Sequence, residues 1–94
     1  VMHSIKKTYP GKSAHAIYEK VDAEMGRIAE KYQLDYESDE AKRTGKVSKM
    51  GATGTYACHD GHVEVHLKFP MLMPGSMRQK VQEDIDKKLT GLFG

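Results

Sequence analysis

The run GTYACHDGHVEVHLKF, residues 54–69, constrains the fold more than any other stretch of the chain. Asp60-Gly61 separates two segments of alternating polarity, and such a dipeptide suits the left-handed dihedrals of a two-residue type I′ turn, so the segment predicts a β-hairpin. Closing the loop on these two residues pairs His59 with His62, Cys58 with Val63, Tyr56 with Val65 and Gly54 with Leu67. Strand side chains alternate between faces. Tyr56, Cys58, Val63, Val65, Leu67 and Phe69 therefore share an apolar face, while His59, His62, Glu64, His66 and Lys68 share a wet one.

An apolar sheet face needs a covering layer, and two segments have the right period to supply it. Ile17, Val21, Met25, Ile28 and Tyr32 recur at spacings of three and four, which predicts a helix with one buried stripe. Ser13 is placed to cap its start by accepting from a first-turn backbone N–H. Gly26, in mid-helix, is read as a point where the backbone approaches the sheet closely. A second helix is predicted from about Gly75 or Ser76, with Met77, Val81, Ile85, Leu89 and Leu92 as its stripe.

The remaining segments supply strands. Met2 to Tyr9 alternates loosely before Pro10-Gly11 forces a turn, which fits a short edge strand. Leu34, Tyr36 and Ser38 alternate with Asp35, Glu37 and Asp39, and a further strand is predicted over Thr44 to Met50. The expected fold is α+β: an antiparallel sheet of four to five strands with two amphipathic helices packed on one face, in the order β-α-β-β-β-β-α. At 94 residues the chain is too short for two cores, so residues 1–94 are expected to form a single domain. Apolar surface left over from so small a core favours a homo-oligomer.

Charge and cysteine content narrow the partners. Fifteen basic residues against thirteen acidic ones give a net charge of only +2, whereas nucleic-acid binding usually leaves a strongly basic stripe. The helix–strands–helix order is also that of double-stranded RNA binding domains, but Glu83, Asp84 and Asp86 interrupt Arg78, Lys80, Lys87 and Lys88. A nucleic-acid interface, the alternative function, would rest on Lys46, Lys49, Arg78 and Lys80. Cys58 is the only cysteine, which excludes an internal disulfide and suits a reducing cytoplasm. No apolar run approaches the roughly 20 residues of a membrane span, and no export signal is expected.

Candidate chemistry is sparse. His59, His62 and Glu64 could form a metal set, but His66 lies roughly 13 Å along the strand from His62, at about 3.3 Å per residue. Solvated outer-face residues are the preferred reading of this cluster. Cys58 and His59 are adjacent and so point to opposite faces, which leaves the thiol without its neighbour as a base. With no phosphate loop, nucleophile elbow or metalloprotease motif, the expectation is a noncatalytic protein without a cofactor. Methionine is the remaining oddity. PMLMPGSM places Met71, Met73 and Met77 in and beside a proline-bracketed link, and flexible thioethers adapt to irregular apolar partners. Phe69, Met71, Leu72, Met73 and Met77 form the candidate docking patch.

The runs IAEKYQLDYES, GATGTYACHDGHVEVHLKF and PGSMRQKVQEDIDKKLTGLF together resemble the polyhydroxyalkanoic acid system family, small bacterial proteins associated with polyester storage granules. The telling pieces are a long helix with a Tyr-x-Leu exit at Tyr32 and Leu34, and a Gly-x-x-Gly step at Gly51 and Gly54 into the hairpin. The resemblance covers nearly the whole chain. It implies a noncatalytic role in the synthesis, mobilisation or surface organisation of polyhydroxyalkanoate, with the granule surface or a granule protein as partner.

Overall fold

The computed structural model describes residues 2–94. Seven elements follow in the expected order: β1 (Met2–Thr8), α1 (Ala14–Tyr32), β2 (Asp35–Asp39), β3 (Thr44–Lys49), β4 (Ala52–His59), β5 (His62–Lys68) and α2 (Gly75–Thr90). The strands form one antiparallel sheet in the order β1-β5-β4-β3-β2. Strands β2 to β5 thus make a meander, and β1 pairs with β5 across the length of the chain.

The hairpin register is the one the sequence dictates, with His59 opposite His62, Cys58 opposite Val63, Tyr56 opposite Val65 and Gly54 opposite Leu67. The turn type differs. Gly61 has a positive φ of 82° but Asp60 does not, and type I′ requires both. A negative φ followed by a glycine with positive φ is the type II pattern. The neighbouring loop explains the choice, because it grips the turn on three sides. Asp60 Oδ1 accepts from the Ala14 N–H at 2.8 Å, the Gly61 N–H donates to the Lys12 carbonyl, and the Tyr9 N–H donates to the Gly61 carbonyl. The pair of left-handed residues expected of type I′ sits instead between β3 and β4, at Met50 (φ 49°) and Gly51 (φ 89°).

Helix α1 begins where Ser13 caps it, its side chain accepting from the Ala16 N–H at 3.1 Å. Ile17, Val21 and Met25 are buried as the stripe requires, joined by Ala14, Tyr18 and Ala29. Tyr32 is exposed, because the helix ends there and the chain turns through Gln33 in the left-handed conformation. Gly26 is not a close approach: a Cβ at that position would meet nothing within 4 Å. The tight contact lies at Gly45 on β3, where a Cβ would sit 2.3 Å from the Tyr56 ring. Glycine there lets the tyrosine lie flat across the sheet.

Both helices cover the same sheet face. The core joins Ile17, Val21 and Met25 of α1 to Tyr56, Cys58, Val63, Val65 and Leu67 of the sheet, and to Phe69, Leu89 and Leu92. A short polar chain runs beneath α1: Tyr56 Oη donates to Tyr36 Oη, which donates to Asp22 Oδ1, each at 2.6 Å. Burial, first of all, pushes both hydroxyls well above the usual tyrosine range. Neither Asp22 nor Tyr36 stood out in the sequence as part of such a network.

Candidate functional site

Two surfaces stand apart from the ordinary solvated exterior, and strand direction places them at opposite ends of the molecule. One end collects the start of β1, the end of α1, the β3–β4 turn, the end of β5 and the start of α2. The register fixes this, since Met2 pairs with Lys68, Thr53 pairs with Lys68, and Ala52 pairs with Lys49 beside the turn. Lys49 Nζ donates to the Tyr32 carbonyl at 2.8 Å, which ties the exit of α1 to the same end. A Cβ on Gly51 would lie 3.8 Å from the Pro70 ring, so the turn also abuts the link between β5 and α2.

The exposed large apolar side chains of the described residues gather at this end. Met71 is 87% exposed, Leu72 96% and Met50 90%, with Met2, Tyr32 and Met77 also open to solvent. Only Val81, one turn further along α2, lies slightly away. The sequence-based patch divides into two parts. Met71, Leu72 and Met77 are on the surface, whereas Phe69 is buried in the core and Met73 is packed against it. The strand period places Phe69 inward, continuing the row of Val63, Val65 and Leu67. Arg78 braces the link by donating from Nη1 to the Met73 carbonyl at 2.7 Å. Met2 and Met50 join the patch through strand order, which local sequence does not display.

At the opposite end, the hairpin turn carries the histidines. The rings of His59 and His62 stack with centroids 4.7 Å apart and planes 24° from parallel. Both Nε2 atoms face the Glu64 carboxylate, at 3.7 Å from His59 and 3.8 Å from His62. One donor atom from each of the three residues lies within 4.8 Å of the others. His66 belongs to a different neighbourhood, bonded through Nδ1 to Ser4 Oγ at 2.9 Å. His3 is on the inner side of β1, and His15 pairs with Glu19 along α1.

Cys58 is buried on the inner face while His59 is on the outer one. Burial pushes its thiol up to about 12 from a usual 9.0, which leaves almost no thiolate near neutrality. The four basic residues considered for nucleic acid do not share a surface. Lys46 is on the open sheet face, Lys49 is tied to Tyr32, and Arg78 and Lys80 are on α2 across the sheet. The open face carries Lys6, Lys46 and Lys68 against Asp35, Glu37, Asp39 and Glu64. A depression of about 830 Å³ on it is lined by residues of β2 to β5 such as Glu37, Lys46, Thr55 and His66. No helix among the described residues is long and apolar enough to cross a membrane.

The architecture recurs in solved structures. A TBP-like protein from Parabacteroides distasonis superposes with a TM-score of 0.62 at 15% identity, over 77% of this chain and 59% of that one. A DUF4468 family protein from Bacteroides ovatus superposes with a TM-score of 0.59 at 22% identity, over 72% of this chain and 52% of that one. The chain therefore spans little more than half the length of either, and at these identities the likeness concerns the fold alone. No curated protein matches the sequence. Residues 10–93 match the family described as "Putative polyhydroxyalkanoic acid system protein", which takes in both helices, four of the five strands, the histidine turn and the methionine-rich link. The chain belongs to the polyhydroxyalkanoic acid system protein family.

Proposed function

We propose that this protein is a noncatalytic accessory factor that docks through its methionine-rich end onto the surface of polyhydroxyalkanoate granules. The observation that carries the reading is the collection of exposed large apolar side chains at one end of the fold, on a chain whose family is named for that polymer system. A polyester surface is apolar and irregular. Unbranched thioethers, which change rotamer at little cost, suit it better than a rigid aromatic anchor.

The magnitude of the effect sets its character. Burying Met50, Met71, Leu72 and Met77 yields about 1.5 to 3 kcal/mol each at full burial, and association costs about 4 to 15 kcal/mol in lost freedom. A single copy then binds weakly and reversibly, and several copies linked together bind far more tightly. On this reading the protein works on a granule as several linked copies. The open sheet face favours nucleic acid less, because its carboxylates outnumber its lysines and no Phe, Tyr or Trp side chain stands on it.

Co-sedimentation with purified polyester granules tests the proposal. The parent protein partitions with the granules, while Met71→Asp combined with Leu72→Asp remains in the supernatant with an unchanged circular dichroism spectrum. Equal partitioning of the folded double variant would remove this end of the molecule as the docking surface.

A further inference from the structure

The histidine turn lies at the end of the molecule that granule docking leaves free, and its geometry calls for a separate explanation. Two imidazoles and one carboxylate converge there, all three half-exposed and carried by two paired strands. Distances of 3.7 and 3.8 Å from the Glu64 oxygens to the two Nε2 atoms are too long for hydrogen bonds, which cluster near 2.9 Å. Each is measured to a different oxygen of Glu64 and lies a little above the spacing of neighbouring ligands on one ion. Tetrahedral zinc holds nitrogen and oxygen at about 2.0 to 2.1 Å, which puts adjacent ligand atoms roughly 3.4 Å apart.

The backbone supplies the preorganisation that such a site needs. His59 and His62 are held opposite one another by the β4–β5 register, and Glu64 follows His62 on the same face. The turn between the histidines is fixed by Asp60 to the first N–H of α1 and by Gly61 to Lys12 and Tyr9. The two rings stack beside the Glu64 carboxylate, and because an ion lies in the plane of each imidazole it bonds, they converge on one by rotating about χ2 out of the stack. The donor atoms, up to 4.8 Å apart, must draw together by as much as roughly 1.4 Å to reach the ligand spacing of one ion, a movement within the reach of solvent-facing side chains.

We infer that His59, His62 and Glu64 form a surface site for one divalent transition-metal ion of the zinc class. The donor set selects the ion. Two imidazoles with a single carboxylate suit zinc, nickel, cobalt or copper, whereas magnesium and calcium require more oxygen donors than the turn provides. Three protein ligands leave a fourth position for water or for a donor from another molecule. Because the ligands are exposed and lack a buried outer shell, the affinity is moderate.

Titration calorimetry of the full chain, purified without a histidine tag, tests the site with zinc chloride, and cobalt absorption reports the coordination. The expected result is one ion per chain with a cobalt spectrum of mixed nitrogen and oxygen ligation. His62→Ala and Glu64→Gln each weaken binding by at least about tenfold, the scale on which even outer-shell changes act, while His66→Ala leaves it unchanged. All three positions are on the solvated face, so circular dichroism and the urea midpoint without metal confirm that the variants fold. An absence of stoichiometric binding overturns the assignment, and so does binding that survives both His62→Ala and Glu64→Gln or is lost with His66→Ala.

Discussion

Helices α1 and α2 display the same apolar spacing, yet they are held very differently. Helix α1 buries six residues and lies across β4, β2 and β3, with Ser13 capping its start. Helix α2 buries only Leu89, its start has no side-chain cap, and its contacts are with the edge strand β1. Its last turn is well anchored: Tyr9 Oη donates to the Leu89 carbonyl at 2.6 Å, and the Tyr9 ring meets Phe93 edge-on at 5.2 Å. Its first turns expose Met77 and Val81. A three-four stripe therefore tells which face a helix turns inward, while the depth of burial depends on the sheet beneath. Over the centre of a sheet the stripe becomes core; over an edge, half of it stays available to a partner.

Urea unfolding of Ile17→Ala would break this contrast most directly. Ile17 is fully buried under α1, and its truncation should cost about 2 to 5 kcal/mol. Val81→Ala, on the stripe of α2, should cost no more than about 0.5 kcal/mol. Comparable losses would mean that the two helices are equally embedded. Gly45→Ala should follow, at about 1 to 3 kcal/mol, since the new methyl group would overlap the Tyr56 ring on which α1 rests. Adding Tyr56→Leu to that variant should recover part of the loss, and a double-mutant cycle measures the recovery.

Tyr9→Phe should cost about 1 kcal/mol by removing the hydrogen bond to Leu89. Hydrogen exchange should locate this loss in α2, with α1 amides unaffected. The gentlest probe is pH. Cys58 ionises near 9.0 when unfolded and near 12 when folded, and Tyr9 near 10.0 and 12, both raised chiefly by burial. The neutral forms are the ones the fold prefers, so this stability is complete below pH 9 and is lost as pH rises toward 12. Cys58→Ala should flatten the alkaline limb of the stability curve without moving its neutral plateau much.

Much of this architecture was legible because the chain states it locally. The hairpin register follows from two residues and a period of two, and the element order follows from where the period changes. The features that the sequence does not display locally depend on neighbours far away in the chain. Asp60 takes a conformation the dipeptide alone does not suggest, since Ala14, Lys12 and Tyr9 hold the turn from outside. Tyr32 fits the α1 stripe by spacing but falls where the helix runs out past the sheet. Met50 carries no local mark of function. Its place at the same end as Met71 and Met2 comes from the order in which strands lie, and strand order is a property of the whole sheet. The Asp22–Tyr36–Tyr56 chain has no local mark either, because Gly45 comes to lie opposite Tyr56 only when β3 and β4 pair.

Strand β1 has a consequence for how the molecule assembles. Its partner residues in β5 lie some sixty positions later, so among the strands of this sheet β1 is made first and waits longest for a mate. The meander from β2 to β5 closes through short connections and incurs little loop-closure entropy; β1 must close nearly the whole chain. Until then Val63, Val65 and their neighbours border an unmet sheet edge. Seven alternating residues thus act as a clasp between the two ends of the fold, closing the sheet edge and giving α2 the strand it packs on.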